Sequence, residues 1–272
     1  MEKEFYKKLK SKTLNDIASG KITYDKLDNI LRADKEIVLE AIRHESFVYY
    51  DVPEILKDDR EIVLASLKKY GLMLEFVSDK LKKDREIVFT AVKQCGFALK
   101  YTDKIFKEDK EIVHEAIKSD GWALQFVGNK FFRDPEFLFL AVKYHGYAFE
   151  LLPKKYKKDK TFIEKCIKEH GYILRFIDPK LRLNYLFLEK LVKINGYCLK
   201  YIPNEFKDDV NLALLAVKQN GLSISFIESD LRKNKEIIIE AIKQNRESYD
   251  FVDNSMKLDK DVSAAFMQYS MI

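Results

Sequence analysis

Glycine and proline are scarce, 9 and 5 in 272 residues, which disfavours collagen-like, linker-like and turn-rich all-β chains. Three cysteines are too few for a disulfide framework. The start, Met1-Glu2-Lys3-Glu4-Phe5-Tyr6-Lys7-Lys8, has no apolar stretch of signal-peptide type. No window of about 18 uninterrupted apolar residues is present to span a membrane. A soluble, cytoplasmic protein is expected. Also missing are G-x-S-x-G, the phosphate loop G-x-x-x-x-G-K-[ST] and H-E-x-x-H. No set of nucleophile, base and stabiliser can be named, so the expectation is a non-enzyme without cofactor. What is present suffices for a core: 47% hydrophobic and 13% aromatic residues, beside 34% charged residues and a net charge of +5.

The dominant signal is a repeat, the first pattern to seek in any chain. Asp or Asn stands at Asp34, Asp59, Asp84, Asp109, Asp134, Asp159, Asn184, Asp209, Asn234 and Asp259, every step being 25 residues. Glycine follows 12 residues later at Gly71, Gly96, Gly121, Gly146, Gly171, Gly196 and Gly221, seven of the nine glycines. The phase defines nine units over 34–258 between an N-terminal helical cap, 1–33, and a C-terminal cap, 259–272, in one continuous domain. Ser46 and Arg246 replace the glycine in the end units, as capping repeats would.

One unit shows the physics. Asp109 offers a side-chain oxygen to the first N–H groups of a helix, and Glu111 in the first turn favours the helix dipole. Ile112, Val113, Ala116 and Ile117 share one face. Lys118 lies in the last turn, and Gly121 is read as a left-handed helix stop. Pro135 takes the first helical position, where proline is best tolerated. The stretch Trp122-Ala123-Leu124-Gln125-Phe126-Val127 alternates as a strand would. The small residues Ala98, Ala123, Ala148, Cys198 and Ser223 at its second place favour a short helix instead, ended by Pro53, Pro153 and Pro203. A large apolar residue follows, Phe106 and Phe131 among them, and is read as a plug between units. Small residues such as Ala41, Ser66, Ala91, Ala116, Cys166 and Ala216 would let neighbouring helices approach, while Leu191 breaks that series. The fold class is all-α, a right-handed solenoid of short two-helix repeats.

Strings such as Asp84-Arg85-Glu86-Ile87-Val88, Gln94-Cys95-Gly96-Phe97-Ala98-Leu99 and Gly121-Trp122-Ala123-Leu124-Gln125-Phe126 resemble the bacterial and protist repeat family called domain of unknown function 4116. The resemblance covers about 34–258. It drifts where Thr161, Leu186 and Asn211 replace the usual Glu. It implies a repeat scaffold and carries over no catalytic residue.

Each candidate for chemistry has a bland counterpart. His145 and His170 share a repeat position with Cys95. Equivalent residues of stacked helices lie roughly 10 Å apart, whereas zinc ligands converge to about 2.0–2.3 Å from one ion, so no metal site is expected. Cys166 and Cys198 stand in alanine places and read as buried small hydrophobes. A basic residue recurs in the last helical turn, from Arg43 and Lys68 through Lys143, Lys168 and Lys193 to Lys243. A second basic series runs from Lys57 to Lys257, with Phe132 its exception. Helix dipoles and acids of neighbouring units account for both series.

The functional reading rests on uneven charge. Residues 151–200 hold 13 Lys plus Arg and 5 Asp plus Glu, a net of +8 against +5 for the whole chain. Tyr147, Tyr172 and Tyr197 share one position with Trp122. The candidate contact set is therefore Lys143, Lys168, Lys193, His145, His170, Tyr147, Tyr172 and Tyr197. The expected role is a scaffold binding another macromolecule, first a protein with an acidic surface. The alternatives are RNA or single-stranded DNA, bound by phosphate contact and stacking, or inhibition of a nucleic-acid-processing complex.

Overall fold

The computed structural model describes residues 2–45, 47–228 and 230–268, and no strand occurs among them. Two compact units are present, residues 1–134 and 135–272, and the division falls on a repeat edge. The first unit opens with the helix Glu2–Ala18, which packs on the helix Lys35–His44. The helices Arg60–Lys69, Arg85–Gln94 and Lys110–Ser119 follow in sequence. The second unit stacks Lys160–Glu169, Tyr185–Ile194, Val210–Gln219, Lys235–Gln244 and Lys260–Gln268 after the helix Pro135–Tyr144.

Every one of these repeat helices begins one residue after its Asp or Asn. Asp109 Oδ1 accepts from the N–H groups of Glu111 and Ile112 at 2.9 and 3.0 Å, so two otherwise orphaned donors are satisfied. Asp34, Asp59, Asp84 and Asn234 do the same. In the drifted units Asp159, Asn184 and Asp209 accept from a single N–H each. Pro135 is the first residue of its helix. The apolar stripe is buried throughout: Ile112, Val113 and Ala116 are fully inaccessible, as are Leu188, Leu191 and Val192.

The second element is an α-helical turn, Val48–Asp51, in the first repeat and a 3₁₀-helix in the others. Gly71–Phe76, Gly96–Tyr101, Gly121–Phe126, Gly146–Leu151, Gly196–Tyr201 and Gly221–Phe226 are 3₁₀-helices. A short segment suits the tighter winding, and three residues per turn resolve the apparent strand alternation. Gly121, Leu124 and Val127 fall on one side and are buried, whereas Trp122 is 43% exposed. A further single turn, such as Lys104–Lys107 or Pro179–Arg182, completes the repeat in most units. Phe106 and Phe131 within these turns are buried, as a plug requires.

The repeat glycines do not adopt the left-handed conformation that the sequence suggests. Among the described residues positive φ occurs at Gly20 and Phe47. Close approach explains the glycines instead. A Cβ on Gly71, Gly96, Gly196 or Gly221 would come closer than 3.0 Å to the carbonyl oxygen of Ala91, Ala116, Ala216 or Ala241 in the following helix. The freed space admits a cross-unit hydrogen bond. The Gly71 and Gly196 N–H groups donate to Gln94 Oε1 and Gln219 Oε1 at 2.5 Å, and that of Gly96 to Ser119 Oγ at 3.1 Å. Small residue and glycine are thus two halves of one contact. Leu191 breaks it: beside Gly171 the nearest neighbours of a Cβ stand at 3.1 Å. In the last unit Arg246 replaces glycine and lies over the Phe266 ring at 4.3 Å. Ser46 and the last four residues of the C-terminal cap, 269–272, lie outside the described residues.

Candidate functional site

The two basic series separate by their contacts. In the second series Nζ of Lys82, Lys107 and Lys157 reaches back seven residues to the carbonyls of Glu75, Lys100 and Glu150, at 2.9, 3.0 and 2.6 Å. These lysines satisfy carbonyls at the end of the 3₁₀ segment, a structural task. In the first series Arg43, Lys193 and Lys243 pair within their own helices with Glu40, Glu189 and Glu240, at 2.7, 2.8 and 2.8 Å. Lys143 and Lys168 are exposed, and no carboxylate pairs with them among the described residues. Of the three candidate lysines, two therefore carry uncommitted charge.

The histidines are held by helix ends. His170 Nε2 stands 3.1 Å from the Lys143 carbonyl oxygen, and its ring lies 5.4 Å from that of Tyr172. His145 is half-buried at the equivalent place. Asn195, one unit on, makes the same kind of contact, its Nδ2 donating to the Ile167 carbonyl at 2.9 Å. His170 and Asn195 thus serve the preceding helix, whereas Asp120, Asn220 and Asn245 at this position accept from the N–H two residues on. Among the described residues no three His, Cys, Asp or Glu side chains are grouped to hold a metal ion. Cys166 and Cys198 are buried; burial pushes the Cys166 thiol up to about 12 and that of Cys198 upward too. Neither supplies a thiolate at neutral pH. No helix of the described residues is long and apolar enough to cross a membrane.

The candidate tyrosines come together with residues that sequence reading missed. Tyr147, 49% exposed, meets the ring of Tyr172 at 4.9 Å and that of Phe176 at 6.0 Å. Tyr197 meets Tyr201 at 5.8 Å and Phe226 edge-on at 4.9 Å. Phe97 and Phe126 make the same edge-on contact at 4.8 Å in the first unit. In these three cases the ring just after the glycine packs on the ring at the end of the next 3₁₀ segment. That closing series is Phe76, Tyr101, Phe126, Phe176, Tyr201, Phe226 and Phe251, each half-buried or exposed, with Asp51 and Leu151 at the same place in the other two units. Its 25-residue spacing was visible, but an aromatic series reads as core until the turn geometry turns it outward.

Two cations sit among these rings. The Arg175 guanidinium lies 5.7 Å from the Phe176 centroid and 5.9 Å from that of Tyr201. Lys200 Nζ lies 5.6, 5.7 and 5.3 Å from Tyr197, Tyr201 and Phe226. Such contacts hold cations by the ring quadrupole without neutralising them. Burial, and then the nearby Tyr147, raise the Tyr172 hydroxyl pKa; burial and a bond with Tyr197 raise that of Tyr201. Both rings stay neutral. The outcome is a ridge of two ring groups, Tyr147, Tyr172 and Phe176, then Tyr197, Tyr201 and Phe226, bridged by the exposed Arg175.

The comparisons agree with the repeat. The model of the family described as Domain of unknown function (DUF4116) matches residues 59–107, 84–133, 109–157, 134–182, 184–232 and 209–257. Each match takes in two consecutive units. No curated protein and no solved structure matches the chain. With the tandem matches covering most of the chain in the register of the helix caps, this protein belongs to the DUF4116 repeat family.

Proposed function

We propose that the protein is a non-catalytic helical-repeat scaffold that binds another protein, one with an acidic surface, through the basic aromatic face between Lys143 and Phe226. The observation that carries this reading is the ridge itself, where half-buried rings of consecutive repeats and the exposed Tyr147 pack on one another beside the exposed Arg175 and Lys200. Packed aromatic rings with an arginine among them match the composition enriched at protein interfaces. Rings already packed edge to face on one another offer fewer open faces for stacked bases, which places RNA or single-stranded DNA second. Lys143 and Lys168 add charge beside the ridge, each four residues before a ridge tyrosine.

The test is the triple variant Lys143→Glu, Lys168→Glu, Lys193→Glu, with circular dichroism to confirm folding. Exposed changes of this kind alter stability by no more than about 0.5 kcal/mol each. The expected result is a folded variant that loses a nuclease-resistant partner from native cells, and a wild-type complex weakened by salt. A folded variant that keeps the partner overturns the role of the face. A catch abolished by nuclease assigns the face to nucleic acid.

A further inference from the structure

The repeat period of a stacked-helix solenoid restricts what conformation a partner segment can adopt. Arg175 and Lys200 hold the same place in consecutive repeats, both are exposed, and both approach the ring of Tyr201, at 5.9 and 5.7 Å. Stacked helices stand about 8–10 Å apart, so the surface repeats once per unit with that period. An extended β-strand returns a side chain to the same side every two residues, about 6.6 Å. A polyproline II segment returns every three residues, about 9.3 Å. The second period matches the repeat. The ridge also meets the chemical need of such a segment: grooves lined by aromatic side chains recognise its preformed, low-entropy helix.

We infer that the ridge binds an acidic segment in polyproline II conformation, with a carboxylate at every third residue facing Arg175 and Lys200 and the intervening apolar residues lying on the rings of Tyr172, Phe176, Tyr197 and Tyr201. This rests on the protein-binding reading above and deepens it. Charge complementarity sets the sign of the partner. Residues 151–200 carry 13 cations against 5 acids, and the acids Glu164, Asp178 and Glu189 are occupied by Lys190, Lys158 and Lys193 at 2.7, 3.6 and 2.8 Å. The ridge cations are engaged by rings alone among the described residues. The cation row is short: Glu150 and Ser225 hold the equivalent place in the flanking units. Two charge contacts per segment follow.

The test uses the full chain and fluorescein-labelled peptides read by anisotropy. The probes are four repeats of Glu-Pro-Pro, four repeats of Lys-Pro-Pro, and six repeats of Glu-Pro, whose carboxylates recur every two residues. Glu-Pro-Pro is expected to bind at least tenfold more tightly than the other two, with an affinity that falls as salt rises. The double variant Arg175→Glu, Lys200→Glu should lose it, and Arg175→Gln, Lys200→Gln should weaken it about tenfold. The glutamine pair keeps the test decisive if the first variant misfolds by circular dichroism. Lys68→Glu, in the first unit and not a ridge residue, should bind as the parent does. Equal binding of Glu-Pro and Glu-Pro-Pro overturns the conformational match. Absent binding, or binding indifferent to both double variants, overturns the inference. So does a twelve-residue oligouridylate that binds and is lost with Arg175 and Lys200 while the peptide is not bound. A partner still captured through Lys143, Lys168 and Lys193 in the face of peptide failure would leave the scaffold reading standing and remove this inference alone.

Discussion

Residues 34–111 and 159–211 share one repeat but join their helices differently. In the earlier region the first residue of each helix bridges to the next unit's cap and first turn. Lys35 reaches Asp59 and Glu61 at 2.8 and 2.9 Å. Arg60 reaches Asp84 at 2.9 Å and also Glu86, and Arg85 reaches Glu111 at 2.5 Å. The later region has lost the first-turn acids of this ladder to Thr161, Leu186 and Asn211 but keeps the cap acids Asp159 and Asp209. There Lys160 lies 5.5 Å from the Phe187 ring, and the Tyr185 hydroxyl donates to Asp209 Oδ1 at 3.2 Å. Its cross-unit ion pairs lie on the helix flanks instead, Lys165 with Glu136 and Lys190 with Glu164, at 2.8 and 2.7 Å. Both regions bury the same apolar stripe completely. The stack therefore depends on burial and close backbone contact, which contribute far more than exposed ion pairs. The first-turn acids of the ladder are dispensable to the fold, and their loss contributes to the basic surplus around the ridge.

Substitutions in the core should break this equivalence most strongly. Leu191→Ala leaves a cavity where Leu191 replaces the usual small residue, and should cost about 2–5 kcal/mol in urea unfolding. Alanine at the same place is native in the earlier region, so a harmless Leu191→Ala would show that the two regions share one helix spacing. Next in size, Gly96→Ala drives a Cβ into the Ala116 carbonyl and should cost about 1–3 kcal/mol, as should Ala116→Leu from the other side of that contact. Gly171→Ala should cost less than Gly96→Ala, because its surroundings stand at 3.1 Å. Equal losses at both glycines would contradict the close-approach account.

Acid should separate the regions by a smaller margin. The Arg60 guanidinium holds the Asp84 carboxyl below the usual carboxylate range. At Asp59 and Asp109 burial pushes the other way, but helix N–H donors with Lys35 or Arg85 outweigh it and lower both. Carboxyls lowered in the folded state contribute stability above their unfolded value and lose it as pH falls through the folded one, here below about pH 4. Asn184 cannot be protonated in this way. Amide exchange at pH 3 should thus lose protection over 60–119 before 185–194, with Trp122, the one tryptophan of the chain, reporting the first change. Simultaneous loss would show that the ladder does not set local stability. Smallest of all, Arg60→Gln should flatten the salt dependence of unfolding in the first unit, whereas Lys160→Gln should leave that of the second unchanged.

Particular residues show how far the sequence could be read. Asp109, Pro135 and the stripe Ile112, Val113, Ala116, Ile117 were legible because caps and helical periodicity act within a few residues. The fold class followed from the 25-residue phase. The candidate tyrosines were found by charge and position, yet Phe176, Phe226, Arg175 and Lys200 were not. An exposed aromatic at a repeat position has the same sequence signature as a buried one. Lys193 illustrates the converse: its place in the basic series is plain, but its pairing with Glu189 depends on rotamers of the folded helix.

By itself the sequence determined where each repeat α-helix starts and that the units repeat, since capping oxygens, dipole-matched charges and apolar spacing are local interactions. Only the tertiary structure decided the rest. It turned the glycines from turn residues into contact points for the next helix. It assigned the second basic series to carbonyls seven residues back and left Lys143 and Lys168 uncommitted. It also placed the closing rings at the surface, because a 3₁₀ turn advances three residues and the neighbouring repeat determines which side of that turn remains open.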